Sequence, residues 1–215
     1  MKPTAPPSTP VQLPTATKSG DDLIAIIEVS DPQSSTYNPQ SNVYAEFPEA
    51  LKQLSRMDPS KSDVDVAGEL AHAISFPRQD SYLAAPALIS LGSDWAATTL
   101  PILIDNLKNQ KPTVRMASAF VLSFIGKQAS CAVGNISPLL WDADAYVRST
   151  AALALESITG EDLVPNAFKI TPDYQLITSV IADSPEGKIV AGAREWWTDQ
   201  GSKVNWHPSY DLCDP

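Results

Sequence analysis

The sequence has 215 residues, of which 43% are hydrophobic and 19% are charged, and its formal net charge at pH 7 is −10. This length and apolar content suffice for one folded domain with a core, and they exclude a chain that is mainly disordered. The acidity argues against nucleic acid as a partner, because an acidic surface repels phosphates, and the lack of a long unbroken apolar run predicts no transmembrane segment.

Residues 1–21 are predicted to be a disordered linker. The opening "MKPTAPPSTPVQLPTATKSG" is rich in Pro and Thr and has few large apolar side chains, so it cannot offset the entropy lost on ordering. It also resembles the Pro/Thr-rich stretch that follows the lipidated cysteine of many bacterial lipoproteins. That resemblance implies an extracytoplasmic, cell-envelope protein whose signal peptide and lipid anchor lie upstream of Met1. An ordinary disordered N-terminus on a cytoplasmic protein is the alternative.

Residues 22–61 are predicted to form an N-terminal extension with one helix. The pattern of "FPEALKQLSRM" (47–57) indicates that helix. The earlier run "DLIAIIEV" (22–29) is short and apolar throughout, which is compatible with a strand or with a helix, and the sequence leaves this choice open.

Residues 62–160 contain an internal repeat. Val114-Arg115 aligns with Val147-Arg148 at a fixed offset, and the apolar positions that follow align as well. A weaker third copy precedes these two at nearly the same spacing and ends at Gly92. Self-similarity at a fixed period indicates stacked supersecondary units, so we predict an all-α fold: an α-solenoid of about three helix pairs.

Each unit has the pattern of two helices. Apolar residues of the second helix recur three or four positions apart, and Gly126 and Gly160 follow where such a helix should end. Pro112 and Pro101 are expected near helix starts, where the missing N–H costs little. In the earliest copy, "DVDVAGELAHAISF" (63–76) is predicted to be the first helix. Two further prolines should shorten helices, namely Pro86 and Pro138.

The string "LPILIDNLKNQKPTVRMASAFVLSFIG" resembles a HEAT repeat of the short bacterial type, the phycobilisome-lyase-like HEAT repeat. "LLWDADAYVRSTAALALESITG" resembles the second half of that pattern, with Asp142 at its acidic turn position. The resemblance implies an α-solenoid and leaves the function open, since such folds serve many tasks. Asn109 stands where the first full repeat should have its acidic residue, so a ladder of side chains from turn to turn is expected to be incomplete.

Arg115 and Arg148 occur once per repeat. One interpretation is a binding ladder for an acidic partner. The other is a structural ladder, in which each guanidinium binds turn carboxylates or carbonyls of a neighbouring repeat, and the resemblance favours it. Asp142 and Asp144 lie close enough in "DADAY" to suggest a cation, but an EF-hand needs further ligands and a glycine, so a helix-start turn is the simpler interpretation.

Residues 161–215 are predicted to form a C-terminal cap. Its "AGAREWWTDQ" resembles the Trp-Trp helix that often ends short HEAT proteins, and an irregular tail follows. Cys131 and Cys213 would form a disulfide if the protein is exported, and two free thiols are the alternative. The tryptophans divide between core and interface, since exposed Trp is enriched at binding hot spots. The candidate interface residues are Trp95, Trp141, Trp196 and Trp197.

No pattern of catalytic, cofactor-binding or metal-ligating residues is apparent. The two histidines, His72 and His207, have no ligand partner at metal-site spacing, and nucleophile-elbow, Walker and dinucleotide motifs are absent. The sequence therefore favours a non-catalytic scaffold that binds another protein or peptide. The alternative is an enzyme or enzyme subunit like the bilin lyases, which would shift the visible absorbance of a free bilin.

Overall fold

A computed structural model of the chain describes residues 18–57, 65–92, 94–163 and 186–206. These residues form α-helices joined by turns and short 3-10 segments, with no strand among them, which confirms the predicted all-α class. Most of the predicted linker, His207 and Cys213 lie outside the described residues. The helices are α1 (Gly20–Glu28), α2 (Phe47–Leu54), α3 (Val66–Ala73), α4 (Ala84–Ser90), α5 (Ala96–Asn106), α6 (Pro112–Ile125), α7 (Val133–Ile136), α8 (Ala145–Thr159) and α9 (Glu186–Asp199).

The apolar run that the sequence left open is a helix, α1. The hydroxyl of Ser19 accepts a hydrogen bond from the backbone N–H of Asp22, whose carboxylate accepts one from the backbone N–H of Ser19. This capping box satisfies N–H groups that a helix start leaves free. The extension therefore has two α-helices where one was predicted, and the helical chain begins at Gly20, inside the predicted linker.

The helix ends follow the glycines. Gly126 and Gly160 have φ of 63° and 78°, a backbone region that other residues rarely adopt, and each directly follows a long helix. Pro112 is the first residue of α6, as predicted. Pro101, however, lies inside α5 and not near its start. The helix extends N-terminally because Ala96 is buried along with the rest of its apolar stripe.

The helical segments at Pro86 and Pro138 are short, as predicted. Pro86 falls in the first turn of α4, which spans Ala84–Ser90. Pro138 lies in a 3-10 segment, Ser137–Trp141, that follows the single turn of α7. Helix α3 covers Val66–Ala73 and is shorter than the predicted span 63–76.

One hydrophobic core joins the helices. Helix α8 packs extensively on α6; α6 packs on α4 and α5, and both of these pack on α3. Helix α1 packs on α2 and α3, while α9 packs on α8. Among the described residues, the helical stretch Pro112–Trp141 is long and apolar enough to cross a membrane by length and composition alone. Its most apolar window is 67% buried inside the protein, as expected for a core segment.

Candidate protein-binding surface

Two turns at equivalent positions of the repeat have the same hydrogen-bond pattern. The side-chain oxygen of Asn109 accepts a bond from the backbone N–H of Lys111 at 2.9 Å. The Asp142 carboxylate accepts one from the backbone N–H of Asp144, also at 2.9 Å. Each turn leads directly into a long helix, α6 or α8, so the sequence repeat is also a repeat of local geometry.

The two repeated arginines bind their own turns in the same way. Nη1 of Arg115 donates to the carbonyls of Asn109 and Gln110, at 2.7 and 3.0 Å. Nη1 of Arg148 donates to the equivalent carbonyls, those of Asp142 and Ala143, at 2.7 and 2.9 Å. Carbonyls just before a helix are thus satisfied by a side chain of its first turns.

Arg115 also joins the two turns to each other. Its Nε and Nη2 donate to the two carboxylate oxygens of Asp142, both at 2.7 Å, and the two side chains are only 14% and 8% exposed. This bidentate geometry agrees with the structural interpretation of the ladder and leaves Arg115 unavailable to an acidic partner. At the equivalent position of the earlier copy stands Ser81. The ion pair equivalent to Arg115–Asp142 would join positions 81 and 109, which are serine and asparagine. That ion pair is therefore missing, and the ladder is incomplete as expected.

Partial burial by itself raises the pKa of Asp142. The hydrogen bonds from Arg115 and from the Asp144 backbone, together with the charges of Arg115 and Arg148, outweigh burial, so its pKa lies below the usual value. The carboxylate is therefore ionised at neutral pH and the ion pair is intact.

Trp141 stands at this corner of the molecule and is the most exposed large apolar residue of the described chain, at 52%. The guanidinium of Arg194, from α9, lies 5.5 Å from the centre of its ring. Nε and Nη2 of Arg194 donate to the Leu140 carbonyl at 2.9 and 2.6 Å, which fixes the cation beside the ring. Near the start of α8, Tyr146 is also exposed, at 43%. This corner, Trp141, Tyr146 and Arg194, is termed the Trp141 surface.

The other candidate tryptophans are not freely exposed. Trp95 is 7% exposed and packs in the core, so its place in the predicted interface is wrong; it precedes α5, whose buried stripe carries it inward. Trp196 and Trp197 are half-buried, with ring centres 6.1 Å apart. Trp206 packs 5.8 Å from Trp196 and donates from its indole to the Gly201 carbonyl at 2.6 Å. These three rings form a cluster that closes the end of α9.

The structure describes one of the two cysteines of the predicted disulfide. Cys131 is disulfide-bonded, and the described residues contain no free cysteine. Cys213, the other cysteine of the sequence, lies outside the described residues, so the pairing stays a prediction.

Arg78 is a structural residue that no sequence pattern singles out. Its side chain is 6% exposed and lies between the rings of Tyr44 and Phe47, 3.9 and 4.2 Å from their centres. It donates to both carboxylate oxygens of Asp80, to the Ser30 hydroxyl and to the Tyr44 carbonyl. Arg78 thus ties α1 and α2 to the segment before α4. The equivalent positions of the two later copies hold Pro112 and Ala145, so no periodic signal marks this arginine.

The described residues include no group of three or more His, Cys, Asp or Glu side chains suited to hold a metal ion. His72 is exposed on α3. No protein-family model, curated protein or solved structure matches this chain.

Proposed function

We propose that this protein is a non-catalytic scaffold that binds another protein or a peptide, built on a short α-solenoid of the HEAT type. The exposure of Trp141 carries the proposal. A half-exposed indole loses apolar hydration only when a partner covers it, and Trp is among the residues that contribute most to protein binding.

Arg194 makes this tryptophan a better anchor. Its two bonds to the Leu140 carbonyl hold the guanidinium beside the ring. The Arg194 side chain is therefore already ordered in the free protein, and less conformational entropy is lost when a partner binds. The indole and the exposed Tyr146 ring present apolar area, and the guanidinium beside the indole offers donors. Such a mixture of aromatic and arginine side chains is typical of the centre of protein interfaces.

Two observations support the HEAT-type solenoid. The turns before α6 and α8 repeat one hydrogen-bond pattern at the sequence period, and the Arg115–Asp142 pair links one turn to the next. The adjacent helices α6 and α8 pack on each other, and both carry small buried residues, including Ala117 and Ala151. Stacked helix pairs of this kind bury each other's apolar faces.

The test is partner capture followed by one substitution. Native extract is cross-linked to the full chain, and enriched proteins are identified by mass spectrometry against a charge-matched control protein. Trp141→Ala should weaken binding of a captured partner at least tenfold while the far-UV circular dichroism is unchanged.

Tyr37→Ala is the matched control, because Tyr37 is also an exposed aromatic residue, at 38%, but lies between α1 and α2, which pack mainly on each other, on α3 and on α4. It should leave binding within twofold. Equal binding by the wild-type and Trp141→Ala proteins would refute the proposed surface, and no enrichment over the control protein would refute the scaffold.

A further inference from the structure

A groove beside α1 lies outside the Trp141 surface and has no role in the function proposed above. Its cavity is about 450 Å³, and α1 and the segment before α2 form its apolar walls. Ile26 at its base is 5% exposed, Val29 and Val43 are half-buried, and Ala25 is exposed at its edge. We term it the α1 groove. Its volume accommodates two or three aliphatic side chains.

The rim of the α1 groove is acidic. Asp22 and Glu28 lie on it, six positions apart on α1. Lys18 is the cation among the described lining residues. Lys18 is already engaged in an ion pair with Glu46. The Glu28 side chain makes no hydrogen bond or ion pair with any of the described residues, so its charge is available to a ligand.

Further carboxylates reinforce this negative charge. Glu69, on the neighbouring α3, has its pKa raised, first by burial and then by the charges of Glu28, Asp31 and Asp65, although His72 partly opposes the shift. Glu28 is therefore close enough to Glu69 for the two carboxylates to repel each other. A cation placed beside Glu28 would relieve that repulsion, and the net charge of −10 would attract it from a distance.

We propose that the α1 groove binds a basic amphipathic peptide, with aliphatic side chains in the cavity and lysine or arginine side chains against Asp22 and Glu28. The apolar walls select against a ligand that carries charges but no apolar side chains, because such a ligand would leave the walls exposed to water. The acidic rim selects against acidic peptides and against anionic lipid surfaces.

The test is a titration of the ¹⁵N-labelled full chain with an acetylated synthetic peptide, three repeats of Leu-Lys-Lys-Leu, followed by amide chemical shifts. The largest shifts are expected at Ile26, Val29 and Val43. A peptide with glutamate in place of lysine should produce none of these shifts. Raising the salt from about 50 to about 300 mM should weaken binding of the basic peptide, because screening shortens the reach of the rim charges.

Glu28→Lys should weaken binding of the basic peptide at least tenfold. Asp105→Lys is the matched control: it makes the same charge change at an exposed helical position on α5 and should weaken binding less than twofold. Ala25→Trp, which fills the groove without changing charge, should also weaken binding. It serves as the second variant if Glu28→Lys fails to fold.

Equal weakening by Glu28→Lys and Asp105→Lys would overturn the proposal, because it would mean unspecific attraction to an acidic protein. Shifts centred away from α1 would overturn it as well. These outcomes are separate from the test of Trp141. Peptide binding at α1 with no captured partner refutes only the scaffold at Trp141, and the reverse result refutes only the α1 groove.

Discussion

Asp142→Asn isolates the ion pair between the repeated turns, because asparagine keeps the shape of the side chain and the acceptor for the Asp144 N–H. The wild-type carboxylate receives two bonds of 2.7 Å from Arg115, and both side chains are largely buried. Hydrogen bonds to charged groups contribute about 1.5–3 kcal/mol net, and leaving a buried charge without its partner costs about 3–5 kcal/mol.

The asparagine amide oxygen still accepts one bond from Arg115, which also keeps its two bonds to turn carbonyls. The loss should therefore lie toward the lower end of these ranges, about 2–3 kcal/mol. Urea unfolding followed by far-UV circular dichroism measures it. Asp105→Asn, at an exposed carboxylate, is the control and should change the free energy of unfolding by less than about 0.5 kcal/mol.

A double-mutant cycle with Arg115→Ala assigns the loss to the pair. We expect a coupling energy of at least about 1.5 kcal/mol, since the two residues share both bonds. A coupling energy below about 0.5 kcal/mol would refute the reasoning, because the ladder would then contribute no more than an exposed ion pair.

Three further predictions concern stability. Because the pKa of Asp142 is lowered on folding, its stabilisation is complete above its unfolded pKa of about 3.9 and is lost as pH falls through the folded value. The gap between wild type and Asp142→Asn in urea should thus be constant from about pH 5 to 7 and shrink below about pH 4; a constant gap in acid contradicts this. Gly201→Ala should destabilise by about 1–3 kcal/mol and alter tryptophan fluorescence, because an added Cβ would lie 2.6 Å from a Trp196 ring atom. Gly134→Ala, with open space around it, is its control and should not destabilise. Leu122→Ala should cost about 2–5 kcal/mol in thermal or urea unfolding, and a loss below about 0.5 kcal/mol would disprove the proposed register of α6.

Much of the fold could be predicted because the apolar period and the helix-ending residues of the sequence agree with the residues that the structure buries. The apolar period placed α6 and α8, and Gly126 and Gly160 end them with positive φ. The choice left open at 22–29 could also have been made from the sequence. Ser19 and Asp22 stand at capping-box spacing before the apolar run, which indicates a helix and not a strand.

The candidate surface was less predictable, because exposure is a property of the assembled helices. Four tryptophans were equal candidates in the sequence, yet Trp95 is 7% and Trp141 is 52% exposed. Trp95 enters the core with α5, whereas Trp141 ends a 3-10 segment where the chain turns toward α8. Arg194 is distant from Trp141 in sequence and reaches it only because α9 packs beside that segment.

The helical class, the repeat and the ends of its main helices all follow from the amino-acid pattern, whereas the bonds from Arg115 and Arg148 to their own turns were expected to reach a neighbouring repeat. The first three depend on contacts between residues close together in the chain, which period and spacing express directly. Helix packing was needed to establish which aromatic ring stays in water, that Arg78 ties α1 and α2 to the segment before α4, and that an apolar groove with an acidic rim lies beside α1. Each of these depends on side chains distant in sequence, whose meeting is set by how the helices pack, and no local pattern encodes it.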